Sequence, residues 1–363
     1  MTGFAGLRVG LVGPLPPPAG GMANQTRQLA ELLGREGASV RLVQTNAPYR
    51  PAVAGQLPVV RAGFRLLPYL VRLWQVAGES DVLHVMANSG WSWHLYAAPA
   101  IRIAGLRGVP VVVNYRGGEA AAFLARSASK VHRSMRRASR LAVPSVFLQR
   151  VFAQHGMSAE VVPNVVDLAR FHPASAERRA AAHLVVARNL EPIYDNHTAL
   201  RAFCLVRRSR PEARLTIAGS GPEEARLRAA TAELGLDGYV RFAGRLDREA
   251  MASLYRDADL SLNPSLADNL PNSVLESMAS GVPVVSTNVG GVPYLVEHGT
   301  TALLVEPRDA EGMAAAALRL LDDAALRRQL AQAAVAEAQK YSWPRVAPVL
   351  AEVYRGALVR AKQ

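Results

Sequence analysis

Two kinds of pattern alternate along the 363 residues: short runs dense in Val, Leu and Ile, and longer stretches in which apolar positions recur every three to four residues. Short apolar runs bounded by turn residues predict strands buried on both faces, and the longer spacing predicts helices packed against them. In the first half, strands are expected at 7–13 (LRVGLVG), 39–45, 81–87, 109–115 and 140–145, with a helix over 24–37 that stops at a glycine. The alternation starts again at 183–189 (HLVVARN) and continues through 213–222, 240–246, 258–265, VVSTNVGG and ALLVEP. Helices are expected between them at 198–211, in EEARLRAATAELGL, in EAMASLYRDAD and in SVLESMASGVP. Such β-α-β alternation implies parallel, doubly wound sheets with helices on both faces. The polar, Ala-rich stretch around 170–182 reads as a linker, which divides the chain into domains of about 1–175 and 176–344. The length also favours two domains, since one core rarely grows past roughly 250–300 residues. Ligands of open α/β sheets bind outside the carboxyl ends of the strands, so a cleft between the two domains is the expected site.

Composition narrows the setting. Half of the residues are hydrophobic and 20% are charged, which suits a folded globular protein. No run of about 18 apolar residues predicts a membrane span, and the start lacks the basic and apolar regions of a signal peptide. The one cysteine, Cys204, falls in a predicted helix, where it reads as a small core residue. A cytoplasmic location is therefore expected. The net charge of +13 is uneven: residues 1–175 hold 19 basic and 7 acidic residues, and the remainder holds 23 and 22. A basic surface attracts polyanions. No nucleic-acid-binding motif is present, so an anionic membrane surface or a diphosphate-linked acceptor is the expected partner, and nucleic acid is not. RSASKVHRSMRRASR (126–140) has six Lys or Arg and no acid, and RAGFRLLPYLVRLWQ (61–75) is apolar with three Arg. Both suit a membrane-surface face, although 61–75 reads equally well as a core helix. WSWHLYAAP (91–99) reads as packing or as part of an acceptor side.

The densest chemistry lies in NPSLADNLPNSVLESMASGVPVVSTNVGGVPYL, 263–295. Asp268 and Glu276 are eight residues apart, separated by an Asn- and Pro-rich loop and a helix start for which Asn272 is a plausible N-cap. The free N–H groups and positive end of that helix suit a phosphate, and Glu276 one turn in could accept the hydroxyls of a ribose. On the residues alone, a capped helix with an ordinary carboxylate explains the stretch as well. The whole pattern, from P-S-x-x-D through L-E-S-M-A-S-G-V-P-V-V, resembles glycosyltransferase family 4. That is a retaining family of the GT-B fold, in which two Rossmann-like domains face a central cleft. Asp268 and Glu276 stand at its two acidic positions, and Asn269, Leu270 and Pro271 replace the usual Gly-Phe-Gly. The resemblance implies that Glu276 binds the donor ribose, that Asp268 contacts the donor sugar, and that the backbone of Leu270, Pro271, Asn272, Ser273 and Val274 holds the diphosphate. It extends over nearly the whole chain and is strongest in 183–305. It also implies that the last helix, about 345–362, returns to the first domain.

Other positions agree with the resemblance. HLVVARNLEP matches the family's strand before a diphosphate-binding Arg, here Arg188, whose fork suits bidentate phosphate contact. The Lys usual about five residues further on is missing; Ile193 and Tyr194 stand there, with Asn196 and His197 nearby. LTIAGSGPEE carries Gly219 and Gly221, which are expected to let backbone approach the nucleotide. In VRFAGRL, the resemblance places backbone from Gly244 to Leu246 beside the base, with Arg245 facing solvent. Gly20 and Gly21, between the first strand and helix, resemble the family's glycine pair and read as a loop where a diphosphate or an acceptor oxygen could sit against the chain, or as a simple turn. In VVVNYRGGEAAAF, Tyr115, Arg116 and Glu119 stand near where many members carry a His-Gly, and are candidates for the acceptor side.

No His, Cys or carboxylate set has metal-ligand spacing and no nucleophile elbow is present, so neither metal nor cofactor is expected. Arg188 and the helix start would supply the positive charge instead. The resulting expectation is a hexosyltransferase-type enzyme moving sugar from a nucleotide-sugar, with retention, onto a glycan or lipid-diphosphate-linked acceptor in cell-surface polysaccharide synthesis. A non-catalytic nucleotide-sugar-binding protein and another GT-B enzyme such as a nucleotide-sugar epimerase remain open alternatives.

Overall fold

The structure, a computed structural model, describes residues 3–17, 20–48, 61–174 and 181–360, and the side chains of all but residues 61 and 62 among them. The chain divides into two compact units, Met1–Asn164 with Trp343–Gln363, and Val165–Ser342.

The first unit runs β1 (Arg8–Gly13), α1 (Gly21–Arg35), β2 (Ser39–Gln44), α2 (Arg61–Gly78), β3 (Val82–Ala87), α3 (Ala98–Leu106), β4 (Val111–Tyr115), α4 (Ala120–Met135), β5 (Arg140–Val143), α5 (Val146–Ala153) and β6 (Glu160–Val161). Its six strands are all parallel, in the order β2-β1-β3-β4-β5-β6. The two-residue β6 and the helices α3, α4 and α5 add to the predicted elements. The π-helical turn Trp93–Ala97 leads into α3 and buries Trp93, so WSWHLYAAP packs, while Trp91 stays 77% exposed.

The second unit runs β7 (His183–Ala187), α6 (Asn196–Ser209), β8 (Arg214–Ala218), α7 (Glu224–Glu233), β9 (Val240–Gly244), α8 (Arg248–Arg256), β10 (Leu260–Asn263), α9 (Asn272–Ala279), β11 (Val284–Thr287), β12 (Leu303–Val305), α10 (Ala310–Asp322) and α11 (Ala324–Ala338). Its strands are also parallel, in the order β12-β11-β10-β7-β8-β9. Alternate side chains of β7 enter different cores: Leu184 and Val186 meet Leu200, Phe203 and Met313, and Val185 meets Leu275 and Met278. Burial on both faces is why these strands read as unbroken apolar runs. Cys204 sits half-buried against the first of these cores.

The first unit ends at Asn164, ahead of the 175 expected from the sequence. Val166 and Phe171 pack inside the second unit, where Phe171 meets Tyr255 at 6.2 Å between ring centroids and the Val166 N–H donates to the Tyr341 carbonyl at 3.0 Å. Residues 175–180, on which the expected boundary falls, lie outside the described residues. The chain re-enters the first unit with α12 (Trp343–Arg360). Trp343 stacks on Phe4 at 5.9 Å and donates its indole N–H to Glu36 at 2.8 Å. Tyr354 meets Phe4 edge-on at 5.8 Å and reaches His84 of β3.

Candidate functional site

In the second unit the strand order reverses between β7 and β10, the place where open α/β sheets take ligands. Arg188 follows β7 directly, and the loop after β10 carries Asp268 toward it. The two form an ion pair, with side chains only 9% and 12% exposed. Arg188 also donates to the Ser273 hydroxyl at 3.1 Å and lies over the Tyr194 ring, 4.1 Å from its centroid. Its Nε is buried with no hydrogen-bond partner among the described residues. The other Asp268 oxygen accepts from the Asn269 N–H at 2.9 Å, so both oxygens are engaged. The structure therefore joins Arg188 to Asp268, where the sequence assigned each to a separate part of a ligand.

Gly290 and Gly291, which the sequence reading passed over, hold this loop. A Cβ on Gly290 would lie 2.2 Å from the Asp268 carbonyl oxygen, and one on Gly291 would lie 1.8 Å from that of Asn269. The Gly291 N–H donates to the Asp268 carbonyl at 3.0 Å. The double glycine of NVGGVP was the available signal.

Helix α9 begins under Arg188. Pro271, not Asn272, occupies the N-cap, and Asn272 is the first helical residue. Proline suits a helix start because its fixed φ and missing N–H are tolerated there. The first intrahelical bond runs from Leu275 N–H to Pro271 C=O at 3.1 Å, so the N–H groups of Ser273 and Val274 precede it. Asn269, Leu270, Pro271 and Val274 are buried, while Asn272 and Ser273 are half-buried. Glu276 is half-buried one turn into α9, and its carboxylate has no hydrogen bond or ion pair among the described residues. Desolvation raises it to about 7, against an opposing pull from Arg248. Tyr255, pushed well up by its own burial and then by Glu276, donates to the Ser273 carbonyl at 2.9 Å.

The G-x-G turn has a requirement for glycine inside the protein itself. Cβ atoms on Gly219 and Gly221 would lie 1.9 Å from the Arg188 carbonyl oxygen and 2.3 Å from that of Leu190. The close approach that needs glycine is to the protein's own chain beside Arg188. Gly244 adopts φ +63° at the end of β9, and its carbonyl accepts from the Gly219 N–H at 2.8 Å. Leu246 packs against the core of α8 and α9. Arg245 donates to the Ser220 hydroxyl at 2.5 Å. His197 lies 3.7 Å from a Glu223 oxygen.

The first unit has a second polar centre. Gly20 is extended at the N-cap of α1, and Gly21 opens the helix. Tyr115 does not face an acceptor: it is fully buried, bonded to the Ser89 hydroxyl at 2.6 Å and packed edge-on to Phe152 at 5.0 Å. Its place at the end of a strand buried on both faces explains this, and burial pushes its phenol up to about 12. Glu119 is exposed at the N-cap of α4 without a side-chain cap bond. Arg116 directly follows β4 and among the described residues its side chain is held by amide oxygens alone: Nε by Asn114 at 3.2 Å, Nη1 by Gln25 at 3.5 Å and by Asn164. Behind it, Asn114 bonds His84 Nε2 at 3.1 Å, and His84 Nδ1 bonds the Tyr354 hydroxyl at 2.9 Å. Burial, and then Arg116, push His84 down to about 3, so it stays neutral. Gln25, Asn164 and Tyr354 carry no local motif; His84, a polar residue inside the apolar run VLHVMA, was the readable clue.

Helix α2 turns Tyr69, Leu73, Val76 and Ala77 into the core and leaves Phe64, Leu67, Val71 and Trp74 exposed along its other side, with Leu67 at 67%. On α4, Arg126, Lys130 and Arg133 are exposed one turn apart. Among the described residues no helix is long and apolar enough to cross a membrane, and no group of three or more His, Cys, Asp or Glu could hold a metal ion.

Comparison with known proteins identifies the class. Residues 19–170 match the model for Glycosyltransferase Family 4, and residues 181–323 match the model for Glycosyl transferases group 1. A glycogen synthase of Mycobacterium tuberculosis is 31% identical over 82% of this chain and 73% of its own. The chain belongs to glycosyltransferase family 4. A D-inositol 3-phosphate glycosyltransferase of Pseudarthrobacter chlorophenolicus is 34% identical over 55% of this chain, which spans about half (51%) of that relative's length. A phosphatidyl-myo-inositol mannosyltransferase of Mycolicibacterium smegmatis is 28% identical over 96% of this chain and 93% of its own. Among solved structures, sucrose-phosphate synthase from Thermosynechococcus elongatus superposes with a TM-score of 0.76 at 19% identity, covering 96% of this chain and 98% of its own. Anabaena HepE in complex with UDP and glucose gives 0.71 at 18%, covering 95% and 98%. These likenesses show the fold, which is GT-B.

Proposed function

We propose that the chain is a retaining glycosyltransferase that moves a hexose from a nucleotide-sugar onto a glycan or lipid-diphosphate-linked acceptor in cell-surface polysaccharide synthesis. The observation that carries the donor part is Glu276, a desolvated carboxylate with no hydrogen bond or ion pair among the described residues, set eight residues past an Asp268 already paired to Arg188. A carboxylate left that way is suited to accept the two hydroxyls of a ribose. Arg188 and the N–H groups at the start of α9 then receive the diphosphate, whose oxygens compete with Asp268 for the guanidinium. These groups stabilise the leaving diphosphate as negative charge develops on it, so the reaction proceeds without a divalent cation. Asp268, tied through both oxygens, is poorly placed as a nucleophile, which favours attack from the face of departure over a double displacement.

The donor test is a melting-temperature screen against nucleoside diphosphates, beginning with UDP because HepE is described with it. One base raises the melting temperature of the wild type and not of Glu276→Ala. A shift from no nucleotide would reduce the transferase reading to its fold. Release of nucleoside diphosphate on turnover separates an enzyme from a binding protein, and turnover that requires a divalent cation would refute the metal-free part.

The apolar stripe of α2 beside exposed Arg residues favours peripheral attachment to an anionic membrane, at the cytoplasmic face. Flotation with phosphatidylglycerol vesicles at low salt recovers the wild type but not Leu67→Glu. Equal recovery of the two proteins would remove α2 from the contact.

A further inference from the structure

Arg116 is a cation largely withdrawn from water, with no group of opposite charge beside it among the described residues. Three amide oxygens, from Gln25, Asn114 and Asn164, engage its Nε and Nη1. No carboxylate reaches it among the described residues, and Nη2 has no hydrogen-bond partner there. Amide oxygens orient a guanidinium but do not neutralise it, and a buried cation without a counter-charge is unfavourable unless something else provides one. The surrounding structure holds it in place regardless. Tyr354 of α12 fixes His84, His84 fixes the Asn114 amide, and Asn114 fixes the Nε edge. Neutral His84 adds no charge of its own to this centre. Burial alone pushes Arg116 down to about 10, which leaves it protonated at neutral pH. Gln25 also ties Arg116 to α1.

We infer that Arg116, oriented by Asn114, Asn164 and Gln25, binds a phosphate-ester oxyanion carried by the acceptor. This rests on the transferase reading only for the word acceptor; the anion site itself stands without it. The donor's diphosphate already has Arg188, which this chain places in its other unit. A planar guanidinium oriented by amides at Nε and Nη1, with Nη2 unengaged among the described residues, is placed to donate to a tetrahedral oxyanion.

The test uses the full chain at constant ionic strength, with and without UDP, and inorganic phosphate as the probe. Phosphate is expected to raise the melting temperature of the wild type, and Arg116→Gln should weaken its apparent affinity roughly tenfold or more. Arg116→Lys, which keeps charge but loses the fork, should recover part of that. Without phosphate, Arg116→Gln should melt no lower than the wild type, since it removes an uncompensated charge. The UDP shift should be the same in both proteins, so a missing UDP shift indicts the donor reading and not this one. Repeating the titration with glycerol 3-phosphate and with phosphatidylglycerol vesicles distinguishes a soluble from a lipid-borne ester. Arg116-dependent binding in either arm supports the site. Phosphate that shifts wild type and Arg116→Gln equally, or shifts neither, overturns it, and a lower melting temperature of phosphate-free Arg116→Gln would make Arg116 a structural residue.

Discussion

Each unit sets an arginine just past the carboxyl end of a parallel strand, Arg188 after β7 and Arg116 after β4. Their surroundings differ in one respect that decides their behaviour. Arg188 meets a carboxylate, Asp268, and lies over the Tyr194 ring. Arg116 meets only amides among the described residues. The first is an internally compensated charge, so a ligand's anion has to compete with a side chain already in place. The second has no such competitor. Paired buried charges are destabilising to break, whereas an unpaired one is destabilising to keep. The same residue type at equivalent ends of two similar sheets is therefore expected to respond in opposite directions to the same mutation.

The largest expected effect comes from removing the compensated charge. Arg188→Gln strands Asp268 at 12% exposure without its cation, and should lower unfolding free energy by about 3–5 kcal/mol. If Arg188 also stabilises the leaving diphosphate, turnover should fall about 10²–10³-fold. Urea denaturation and nucleoside diphosphate release read the two quantities. Arg116→Gln, measured alongside, should not show the stability loss. Equal losses in the two variants would erase the distinction between the centres.

The next effect is a pH dependence confined to the second unit. Glu276 has a folded pKa raised from 4.5 to about 7. Its protonated form is favoured by folding, so that contribution is fully present below pH 4.5 and is lost as pH rises through about 7. The loss amounts to at most about 3 kcal/mol, at roughly 1.4 kcal/mol per unit. Arg248 opposes the shift, and Tyr255, held well above its usual value, does not titrate in this window. Ligand-free wild type should therefore lose stability between pH 4.5 and 7 more steeply than Glu276→Gln. Nucleoside diphosphate affinity should move the other way and strengthen over the same window, because the ribose hydroxyls need the carboxylate. A wild-type slope matching that of Glu276→Gln would mean that the carboxyl is better solvated than its surroundings imply.

Both centres were only half legible in the chain. The strands could be read because burial on two faces leaves unbroken apolar runs, and Asp268, Glu276 and Arg188 because their motif is local. Partners distant in sequence could not be read. Asp268 is 80 residues from Arg188, and Asn164 is 48 from Arg116. Gly219 and Gly221 were recognised as close-approach positions, and their approach to the Arg188–Leu190 backbone is something pattern alone does not reveal. Tyr115 was misread for a related reason. It ends a strand buried on both faces, so its hydroxyl turns to Ser89 inside the unit, while its neighbour Arg116 takes the polar position. The boundary near 175 followed composition, whereas the structure follows packing, and Phe171 packs with the second unit.

The smallest effect tests how the uncompensated arginine is held. Tyr354→Phe keeps the ring against Phe4 and His84 but removes the hydroxyl that faces His84 Nδ1. Because Asn114 donates to Nε2, the Nδ1 position carries the proton and donates to Tyr354, and the mutation leaves that buried donor without its acceptor. The expected stability loss is about 1–2 kcal/mol. A purely structural bond would stop there. If the Tyr354–His84–Asn114 series positions Arg116, the apparent phosphate affinity should also fall, by about threefold, with the UDP shift unchanged. Loss of stability with phosphate affinity intact would show that Arg116 is held well enough by Gln25 and Asn164, and that α12 supports the sheet without tuning its anion site.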